Sequence, residues 1–430
     1  MATDHRRTKA FIERTRRDET GPAGNAIGQP LPPSNLHADR AVNSNAVAAR
    51  FDAAAATETV RAELFDEVTV SNAERYEGFI EGFVGTAKVP VGLVGPLLVN
   101  RPRCSSARYI PLATSEAALV ASYQRGARTI TRSGGATAML LAESVIRSPC
   151  FVFERAEHAA RFLAWLSGAF DEIRATAEAT SNHAKLLDLR FTLEGNQAFV
   201  SFEYSTGDAS GQNMTTIATE AACRRIVAAS PEAIERWYLE SNLSGDKKAS
   251  GQSFSLVRGR KVCADAIIPE DVLRSELNIG AEEIEAYWKV SVAGGVLAGT
   301  LGVQGHFANG LAALSIATGQ DAACVAESAV GMTRLEARTD RSLYASVTLP
   351  NLMLGTVGGG TSLPSATACL ELMGIKGDDG AAELAEVTGA LLLAGEISLI
   401  AAIASGDFGR AHRVLRRSDR RARKDSGRDG

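Results

Sequence analysis

The sequence predicts an α+β fold, in which a large domain of mixed helices and strands carries a small inserted domain. The chain has 430 residues, and at roughly 150 residues per domain this length corresponds to two or three domains. Helix-like and strand-like segments are mixed along the chain. Between residues 149 and 239 the order becomes strand, helix, strand, strand, helix, which is most of a ferredoxin-like (split βαβ) unit.

Changes in composition set the predicted domain boundaries. The first residues mix charge, Pro, Gly and Ser without periodicity, as mobile tails do. After Asn45 the pattern becomes helical. The predicted division is a mobile tail at 1–40, a helical segment at 41–81, a large domain at 82–148 and 240–415, an inserted domain at 149–239, and a charged tail at 416–430.

Periodicity and turn residues predict the elements inside these domains. In the inserted domain we expect a strand at 150–154, one long helix at 154–181, two strands around the turn Glu194-Gly195-Asn196, and a second helix at 209–230. In the large domain we expect helices at 115–129 with Ser115 as N-cap, at 291–317 and at 382–404.

Charge and cysteine content exclude several classes of protein. Lys and Arg number 46 against 50 Asp and Glu, a net charge of -4, so there is no broadly cationic surface for nucleic acid. The six cysteines are widely spaced, which predicts neither a zinc site nor a disulfide framework but buried thiols in a reducing cytoplasm. We therefore expect a cytoplasmic protein without a metal or a nucleic-acid partner.

Two segments bear on membrane association. The N-terminus is charged and has no apolar stretch of the kind that a signal peptide needs. Residues 389–406 are almost long and apolar enough to span a bilayer, but Glu396 lies in their middle, which favours a buried core helix. We expect a soluble protein with no membrane partner.

Several polar segments are candidates for chemistry, and each has a structural alternative. Asp208, in GDASGQNM, either marks a phosphate-binding helix start or caps that helix, and capping is favoured. The glycine-rich segment Gly355–Thr361 is either an anion-binding nest or a surface turn. The cluster Asp246-Lys247-Lys248 is typical of a solvated turn, whereas a buried Asp321 would need a cationic partner such as a lysine.

Other residues stand out without defining a reaction. Glu116 follows a possible N-cap, where a carboxylate favours the positive end of a helix. His306 and His412 are isolated, and isolated histidines are more often structural than catalytic. No strand is followed by G-x-G-x-x-G, so a Rossmann dinucleotide site is not expected.

The same segments carry a resemblance to a known family. EGFVGTAKVPVGLVGPL, ATSEAALVASYQRGAR, GDASGQNM, DKK, GQDAA, GTVGGGT and RAH occur in this order between Glu77 and Arg413. In order and spacing they resemble hydroxymethylglutaryl-CoA reductases, in particular soluble bacterial members of the class shared with eukaryotes. The resemblance implies an oxidoreductase of the mevalonate pathway that reduces a thioester to a primary alcohol in two hydride transfers and releases CoA.

The resemblance also implies roles for four catalytic residues. Lys247 would stabilise the negative charge that hydride transfer leaves on the carbonyl oxygen, and Asp321 would pair with that lysine. Glu116 would supply protons, and His412 would protonate the departing CoA thiolate.

Ligand contacts and assembly follow from the same resemblance. The positions expected to hold the substrate are Arg125, Arg147, Asp246, Lys248, Lys289 and Asn309. The cofactor, expected to be NADPH, would lie on the inserted domain at Ser181, Asn182, Asp208 and Asn213. The active sites would form between the protomers of a homodimer or a higher homo-oligomer.

Three positions depart from the family pattern. Thr-Ser-Arg of NADPH-using relatives is Thr180-Ser181-Asn182 here, and the lost guanidinium removes a strong phosphate contact, which leaves NADH as an alternative. Gly82 replaces an Asn, and Glu240-Ser241-Asn242 replaces Ser-Gly-Asn, which leaves open a reductase of a different acyl-CoA. A CoA-thioester-binding paralogue without catalysis is a further alternative. Ser418 lies where eukaryotic members carry a regulatory phosphorylation site, but a tail serine explains it better.

Overall fold

The computed structural model describes residues 40–102 and 104–406. These residues form two compact units, divided between Ala87 and Lys88. The charged tail and His412 lie outside the described residues, as does all but the last residue of the predicted N-terminal tail. The mixture of helices and strands confirms the predicted α+β class.

The first unit, residues 40–87, contains short helices, as its composition predicts. They are α1 (Ser44–Ala53), α2 (Glu58–Leu64) and α3 (Glu67–Ser71), followed by a 3-10 turn at Ala73–Tyr76. The side chains of Asn43, Thr57 and Asp66 each precede one of these α-helices and accept a hydrogen bond from a backbone N–H in its first turn. Such caps satisfy donors that a helix leaves unpaired, so these polar residues set where each helix begins.

The second unit, from residue 88 onward, contains all the strands found in the described residues. The strands are β1 (Val91–Asn100), β2 (Ser105–Ala113), β3 (Ala136–Arg147), β4 (Cys150–Val152), β5 (Lys185–Glu194), β6 (Gln197–Ser205), β7 (Arg236–Tyr238), β8 (Gly259–Ile268), β9 (Gly302–Val303), β10 (Gly331–Ala337) and β11 (Leu343–Leu352). The α-helices are α4 (Leu119–Arg132), α5 (Ala156–Gly168), α6 (Phe170–Glu178), α7 (Gln212–Ala229), α8 (Glu270–Val272), α9 (Ala281–Ala298), α10 (Phe307–Thr318), α11 (Val325–Ser328), α12 (Pro364–Met373) and α13 (Gly380–Ala404).

The strands form a larger and a smaller sheet that share β3. The larger sheet has the order β2-β1-β3-β8-β11-β10-β9, with parallel pairing only at β1–β3 and β9–β10. The smaller sheet has the antiparallel order β7-β4-β6-β5, and residues 145–147 of β3 also pair with β6. Together with α5, α6 and α7, this order is the ferredoxin-like arrangement that the sequence predicts. The prediction missed only the last strand, β7.

Each sheet has its own hydrophobic core. Phe151, Phe162 and Phe202 belong to the core of the smaller sheet, while Ile110 and Leu391 belong to the core of the larger sheet. Two separate cores support an inserted domain at 149–239, whose boundaries stay a prediction.

Three helix predictions are wrong in their boundaries. The long helix predicted at 154–181 ends at Gly168 and restarts as α6, because glycine favours helix ends over helix interiors. The helix predicted at 291–317 is divided into α9 and α10, since Gly299 adopts φ +71 and closes α9. Ser115 is not an N-cap, because α4 begins after the left-handed residue Ala118.

The apolar helix α13 is a core helix, as predicted. By length and composition it is the one described helix that could cross a membrane, but 78% of that window is buried inside the protein. Glu396 in its middle is fully buried. Its carboxylate accepts hydrogen bonds from the Gly305 N–H at 2.7 Å, the His306 N–H at 2.8 Å and the Thr333 hydroxyl at 2.7 Å. A buried carboxylate needs such donors, so Glu396 fixes the segment that leads into α10.

The cysteines follow the prediction in part. All six are free. Cys150, Cys223 and Cys324 are buried, as expected, but Cys104 is exposed, and Cys263 and Cys369 are half-buried.

Helices α4 and α13 pack closely enough to require glycine. A Cβ at Gly126 would overlap the carbonyl oxygen of Ala394, whereas a Cβ at Gly168 would meet open space. Gly126→Ala is therefore expected to lower the free energy of unfolding by about 1–3 kcal/mol. Gly168→Ala, the matched control, should leave it unchanged or raise it by up to about 1 kcal/mol. Urea unfolding measures both variants, and equal midpoints would contradict this packing.

Candidate functional site

Lys247 lies on a constrained turn between β7 and β8. Gly245 has φ +72 and Lys247 itself has φ +57, and the Lys248 N–H donates to the Gly245 carbonyl at 3.1 Å. A positive φ is uncommon for lysine and persists only where the surroundings hold it. The turn is exposed at Lys247 and Lys248, as the sequence predicts for a solvated turn, and its backbone is strained at Lys247.

The Lys247 side chain forms an ion pair with Asp321. Lys247 Nζ lies 3.0 Å from Asp321 Oδ2, with the two side chains 45% and 37% exposed. Asp321 follows α10 and also accepts the Ala323 N–H at 3.0 Å. The predicted lysine partner is present, but the expected burial of Asp321 is wrong.

This pairing shifts the pKa of both groups. The hydrogen bond to Asp321 raises the pKa of Lys247, although partial burial opposes the shift. Burial acts to raise the pKa of Asp321, but hydrogen bonds from Lys247 and the Ala323 N–H outweigh it and hold that pKa below its ordinary value. The ammonium is thus fixed in position and fully charged at neutral pH.

A buried network lies beneath the turn. The Arg258 side chain is 3% exposed, and its Nη1 donates to Glu327 Oε1 at 2.5 Å and Oε2 at 2.6 Å. Arg258 Nη2 donates to Asp246 Oδ1 at 2.7 Å. Arg147 Nη1 donates to Asp246 Oδ2 at 3.2 Å and to Glu240 Oε2 at 3.0 Å. Asp246 therefore joins two arginines directly before Lys247.

Lys247 and Asp321 line a cleft of about 610 Å³. The other walls include the segment Ala209–Met214 and the glycine-rich segment from Gly355 to Thr361. Gln320, next to Asp321, accepts the Gly355 N–H and donates to the Gly355 carbonyl, both at 2.9 Å. Gly355–Thr361 therefore forms part of the cleft wall, although its middle residues, Val357 to Gly359, are exposed as in a surface turn.

Asp208 holds this wall together and does not cap the helix that follows it. Its carboxylate accepts the N–H of Ala381, in the first turn of α13, at 2.8 Å. Its carbonyl accepts the Thr356 N–H at 2.8 Å. The sequence favoured Asp208 as the cap of the helix that follows it, α7. That prediction is wrong, because α7 begins after Gly211 without a side-chain cap.

Arg260 bonds to the backbone next to both glycine-rich segments of the cleft, Ala209–Met214 and Gly355–Thr361. Its guanidinium is buried, donates to the carbonyls of Gly207 and Leu354, and lies 3.2 Å from Glu143. Burial lowers the pKa of Arg260, and the nearby carboxylates of Glu143 and Asp208 oppose that shift. One buried cation therefore sets the spacing of the two segments.

Glu116 and Asn309 form a second pair. Asn309 Nδ2 donates to Glu116 Oε1 at 3.4 Å, and the Glu116 N–H donates to the Thr114 hydroxyl at 3.0 Å. His306, which the sequence leaves as an isolated histidine, lies just before α10 with its ring 5.2 Å from the Tyr123 ring. Within residues 40–102 and 104–406, the buried His306 Nε2 has no hydrogen-bond partner.

The two pairs lie at opposite ends of α10. Asn309 is in its first turn, and Asp321 follows its last turn. A helix of 12 residues is about 18 Å long. Within the described residues of one chain, Glu116 therefore contacts Asn309 and Lys247 contacts Asp321. Glu116 and Lys247 do not contact each other there.

The remaining predicted substrate residues bond to different parts of the fold. Arg125 donates to the Ser398 hydroxyl at 3.0 Å and to the Ser398 carbonyl at 2.6 Å. Lys289 forms an exposed ion pair with Glu285 at 3.0 Å. Lys248 is exposed and donates to the Asp246 carbonyl at 2.9 Å.

The predicted cofactor residues lie at one end of the smaller sheet. Lys185, at the start of β5, pairs in register with Ser205, at the end of β6. The segment with Ser181 and Asn182 precedes Lys185, and the segment with Asp208 follows Ser205. Because Lys185 and Ser205 are paired, both segments lie at the same end of the strands β5 and β6. Asn213 is exposed in the first turn of α7 and lines the cleft.

Sequence reasoning missed Arg258, Arg260 and Glu327. Two arginines around Gly259 at the start of an apolar strand are a usable signal, because charged residues are rarely buried unless they are paired. Glu327 gives no such signal, since the short helix α11 shows no clear apolar pattern.

Fold and site together define a class of protein: an α+β enzyme with a lysine cation fixed in the wall of a glycine-lined cleft. A family model described as hydroxymethylglutaryl-coenzyme A reductase matches residues 46–417. A 3-hydroxy-3-methylglutaryl-coenzyme A reductase of Methanocaldococcus jannaschii is 37% identical over 343 residues, 79% of this chain and 84% of that protein. The protein of the same name from Halobacterium salinarum is 40% identical over 344 residues, with the same coverage of 79% and 84%.

A solved structure has the same fold. It is that of the class II 3-hydroxy-3-methylglutaryl-CoA reductase from Streptococcus pneumoniae bound to NADPH, with a TM-score of 0.62 and 22% identity, covering 77% of this chain and 89% of that chain. The chain belongs to the hydroxymethylglutaryl-coenzyme A reductase family. Its members are oxidoreductases, and so is this protein.

The contribution of the Lys247–Asp321 ion pair to stability depends on pH. Because the pKa of Lys247 is raised, its contribution to stability is present below the ordinary value of 10.5 and is lost as pH rises through the raised value. Because the pKa of Asp321 is lowered, its contribution is present above the ordinary value of 3.8 and is lost as pH falls through the lowered value. The pair is therefore intact between these two limits.

Removing one partner tests this electrostatic account. Asp321→Asn is expected to lower the pKa of Lys247, because the hydrogen bond to that carboxylate is the main cause of the raised value. NMR titration of ¹³C-methylated lysines, assigned with Lys247→Arg, measures it. Asp340→Asn, on a distant surface turn, is the control. The same Lys247 titration in wild type and Asp321→Asn would contradict the account.

Proposed function

We propose that the protein reduces hydroxymethylglutaryl-CoA to mevalonate in two hydride transfers from a nicotinamide cofactor and releases CoA. The observation that carries the proposal is the Lys247–Asp321 pair in the wall of the cleft. Each hydride transfer leaves negative charge on a carbonyl oxygen, and a fixed cation stabilises that charge. Asp321 keeps the ammonium charged and limits its freedom to rotate.

Proton transfer needs further groups. Two protons are consumed in each turnover, one by the departing CoA thiolate and one by the alkoxide that the second hydride transfer leaves, and Glu116 is the carboxyl proposed to supply the second of these. Asn309 fixes that carboxyl through its hydrogen bond. His412, outside the described residues, is proposed to protonate the CoA thiolate so that it cannot attack the aldehyde again.

The cleft fits a dinucleotide. The first N–H groups of α7 have no side-chain cap, and free N–H groups with a positive helix end suit a pyrophosphate. Gly358 and Gly359 border open space, where a side chain would intrude. When bound, the reduced nicotinamide supplies the hydride. Asn213 and the backbone around Asp208 would hold the phosphates. The Asp208 carboxylate would contribute indirectly, because it fixes this backbone by accepting the Ala381 N–H at the start of α13.

We propose NADPH as the cofactor, bound with its ribose near Ser181 and Asn182. The Ser181 hydroxyl accepts the N–H groups of His183 at 3.1 Å and Ala184 at 3.4 Å, so this segment is a defined turn. Lys185 lies 3.3 Å from Glu178 and is 56% exposed, so it can turn toward a 2′-phosphate at little cost. NADH, which lacks that phosphate, is the alternative.

A second candidate is a reductase of a different acyl-CoA. Arg147, proposed to hold the substrate's carboxylate, is already paired with Glu240 and Asp246. A guanidinium compensated by two carboxylates attracts a third one less strongly. Turnover of a panel of acyl-CoA thioesters decides between the candidates, and faster turnover of a thioester without the distal carboxylate would favour the second.

We further propose a homodimer or higher homo-oligomer with shared active sites, located in the cytoplasm. Glu116 bonds to the first turn of α10 and Lys247 to Asp321 beyond its last turn, so an assembly of two copies is the proposed way to bring both to one reacting carbonyl. The end of α9 also exposes apolar side chains, with Val296 at 73% and Leu297 at 89%. Exposed apolar clusters of this kind mark interfaces between proteins.

Turnover tests the proposed function directly. Purified protein should oxidise NADPH or NADH only when hydroxymethylglutaryl-CoA is present. Lys247→Ala should lower kcat at least about 100-fold, as loss of an oxyanion donor does. Lys376→Ala, which removes an exposed surface lysine, should be unchanged. No oxidation with either nucleotide would reject the reductase and favour a CoA-thioester-binding paralogue.

Cofactor choice has its own test. Asn182→Arg restores a guanidinium beside the proposed 2′-phosphate position, and a charge-assisted hydrogen bond of about 1.5–3 kcal/mol should raise kcat/KM for NADPH about tenfold or more. The value for NADH should stay within about threefold, because NADH has no phosphate to meet the new charge. Equal gains with both nucleotides would place the phosphate elsewhere.

A further inference from the structure

Glu327 is a fully buried acid that the proposed reaction leaves without a role. Its side chain is 0% exposed, and burial raises its pKa although Arg258 opposes that shift. Besides Arg258, its carboxylate accepts the backbone N–H of Lys247 at 3.4 Å. It is therefore bonded to the residue whose backbone is strained.

The contacts of Glu327 extend in two directions. Through Arg258 they reach Asp246, the residue before Lys247. Through the thiol of Cys324 they reach Gln212, whose Nε2 lies 3.4 Å from the sulfur. The Gln212 side chain also helps to lower the pKa of Asp321, so the contacts of Glu327 extend toward both partners of the Lys247–Asp321 pair.

We infer that Glu327 is a positioning residue, which holds Lys247 in its left-handed conformation and so aims the ammonium at the reacting carbonyl. A lysine with positive φ persists only where several contacts fix it. Glu327 supplies two of them: a direct bond to the Lys247 N–H, and the ion pair that orients Arg258 against Asp246.

Loss of the charge at Glu327 would change both position and electrostatics. In Glu327→Gln the amide cannot compensate Arg258, so Arg258 would draw Asp246 more strongly and shift the turn. The positive charge of Arg258 would then be less compensated beside the turn, which is expected to lower the pKa of the Lys247 ammonium. A displacement of about 1 Å at a reacting group can cost about 100-fold in rate.

The inference rests on the proposed function, and two readouts separate them. The first is steady-state reduction of hydroxymethylglutaryl-CoA: Glu327→Gln should lower kcat about 100-fold and change KM for the nucleotide less than about threefold, because most of the proposed nucleotide contacts lie on α7 and near Ser181 and Asn182. The second is competitive labelling with acetic anhydride at pH 8, read by mass spectrometry, with Lys376 as internal reference. Lys247 should be labelled at least about threefold faster in the variant, since more of its amine is neutral.

Control variants separate positioning from general destabilisation. Glu386→Gln removes a similarly buried carboxylate that lies 3.7 Å from Arg101 and outside this network, and it should change neither kcat nor Lys247 labelling. Glu327→Asp keeps the charge but has a shorter side chain, so it should recover about tenfold of the lost kcat and stay below the wild-type value, a partial rescue that a purely structural role does not require.

Each outcome decides the inference. If wild type reduces no acyl-CoA, the proposed function fails, while Lys247 labelling still tests the position of the lysine. Normal kcat and labelling in Glu327→Gln would overturn the inference, as would equal changes in Glu386→Gln. If Glu327→Gln does not fold, wild-type kcat and labelling in Glu327→Asp would overturn it, because the shorter side chain cannot reach both the Lys247 N–H and Arg258.

Discussion

The candidate site depends on one buried ion pair, between Arg258 and Glu327. Two charges out of water are costly unless each finds a partner and further hydrogen bonds. Here the same two groups also bond Asp246 and the N–H of Lys247. The requirement to satisfy the buried charges thus becomes a constraint on the turn, and the turn determines where the lysine ammonium lies.

The strand β8 connects this constraint to the cleft. Arg258 immediately precedes β8 and holds the lysine turn, while Arg260 within it holds the carbonyls of Gly207 and Leu354. Because β8 pairs with both β3 and β11 in the larger sheet, these arginines have a rigid base. Glycine-rich segments alone do not define a cavity, but here buried cations and the Gln320 bonds to Gly355 set their spacing.

Local signals in the sequence predicted much of this molecule, and long-range contacts account for the rest. The tight turn at Glu194-Gly195-Asn196, the ferredoxin-like order and the buried helix around Glu396 follow from turn residues and apolar periodicity. The ends of α5 and α9 were missed because helix-forming composition continues past Gly168 and Gly299. The pairing of Lys247 with Asp321 came from residue chemistry and the ordered motifs. Glu327 escaped notice because a buried acid is recognised by its partners, and Arg258 lies far from it in the chain.

The central claim is that the Lys247 ammonium, fixed by Asp321 and by the turn beneath it, meets the carbonyl oxygen that receives negative charge. A crystal structure of the protein with hydroxymethylglutaryl-CoA and the oxidised nucleotide measures this contact directly. The account predicts Lys247 Nζ within about 2.7–3.1 Å of the thioester oxygen, with the ion pair to Asp321 retained. A thioester oxygen bound away from Lys247, or held by another cation, would contradict it.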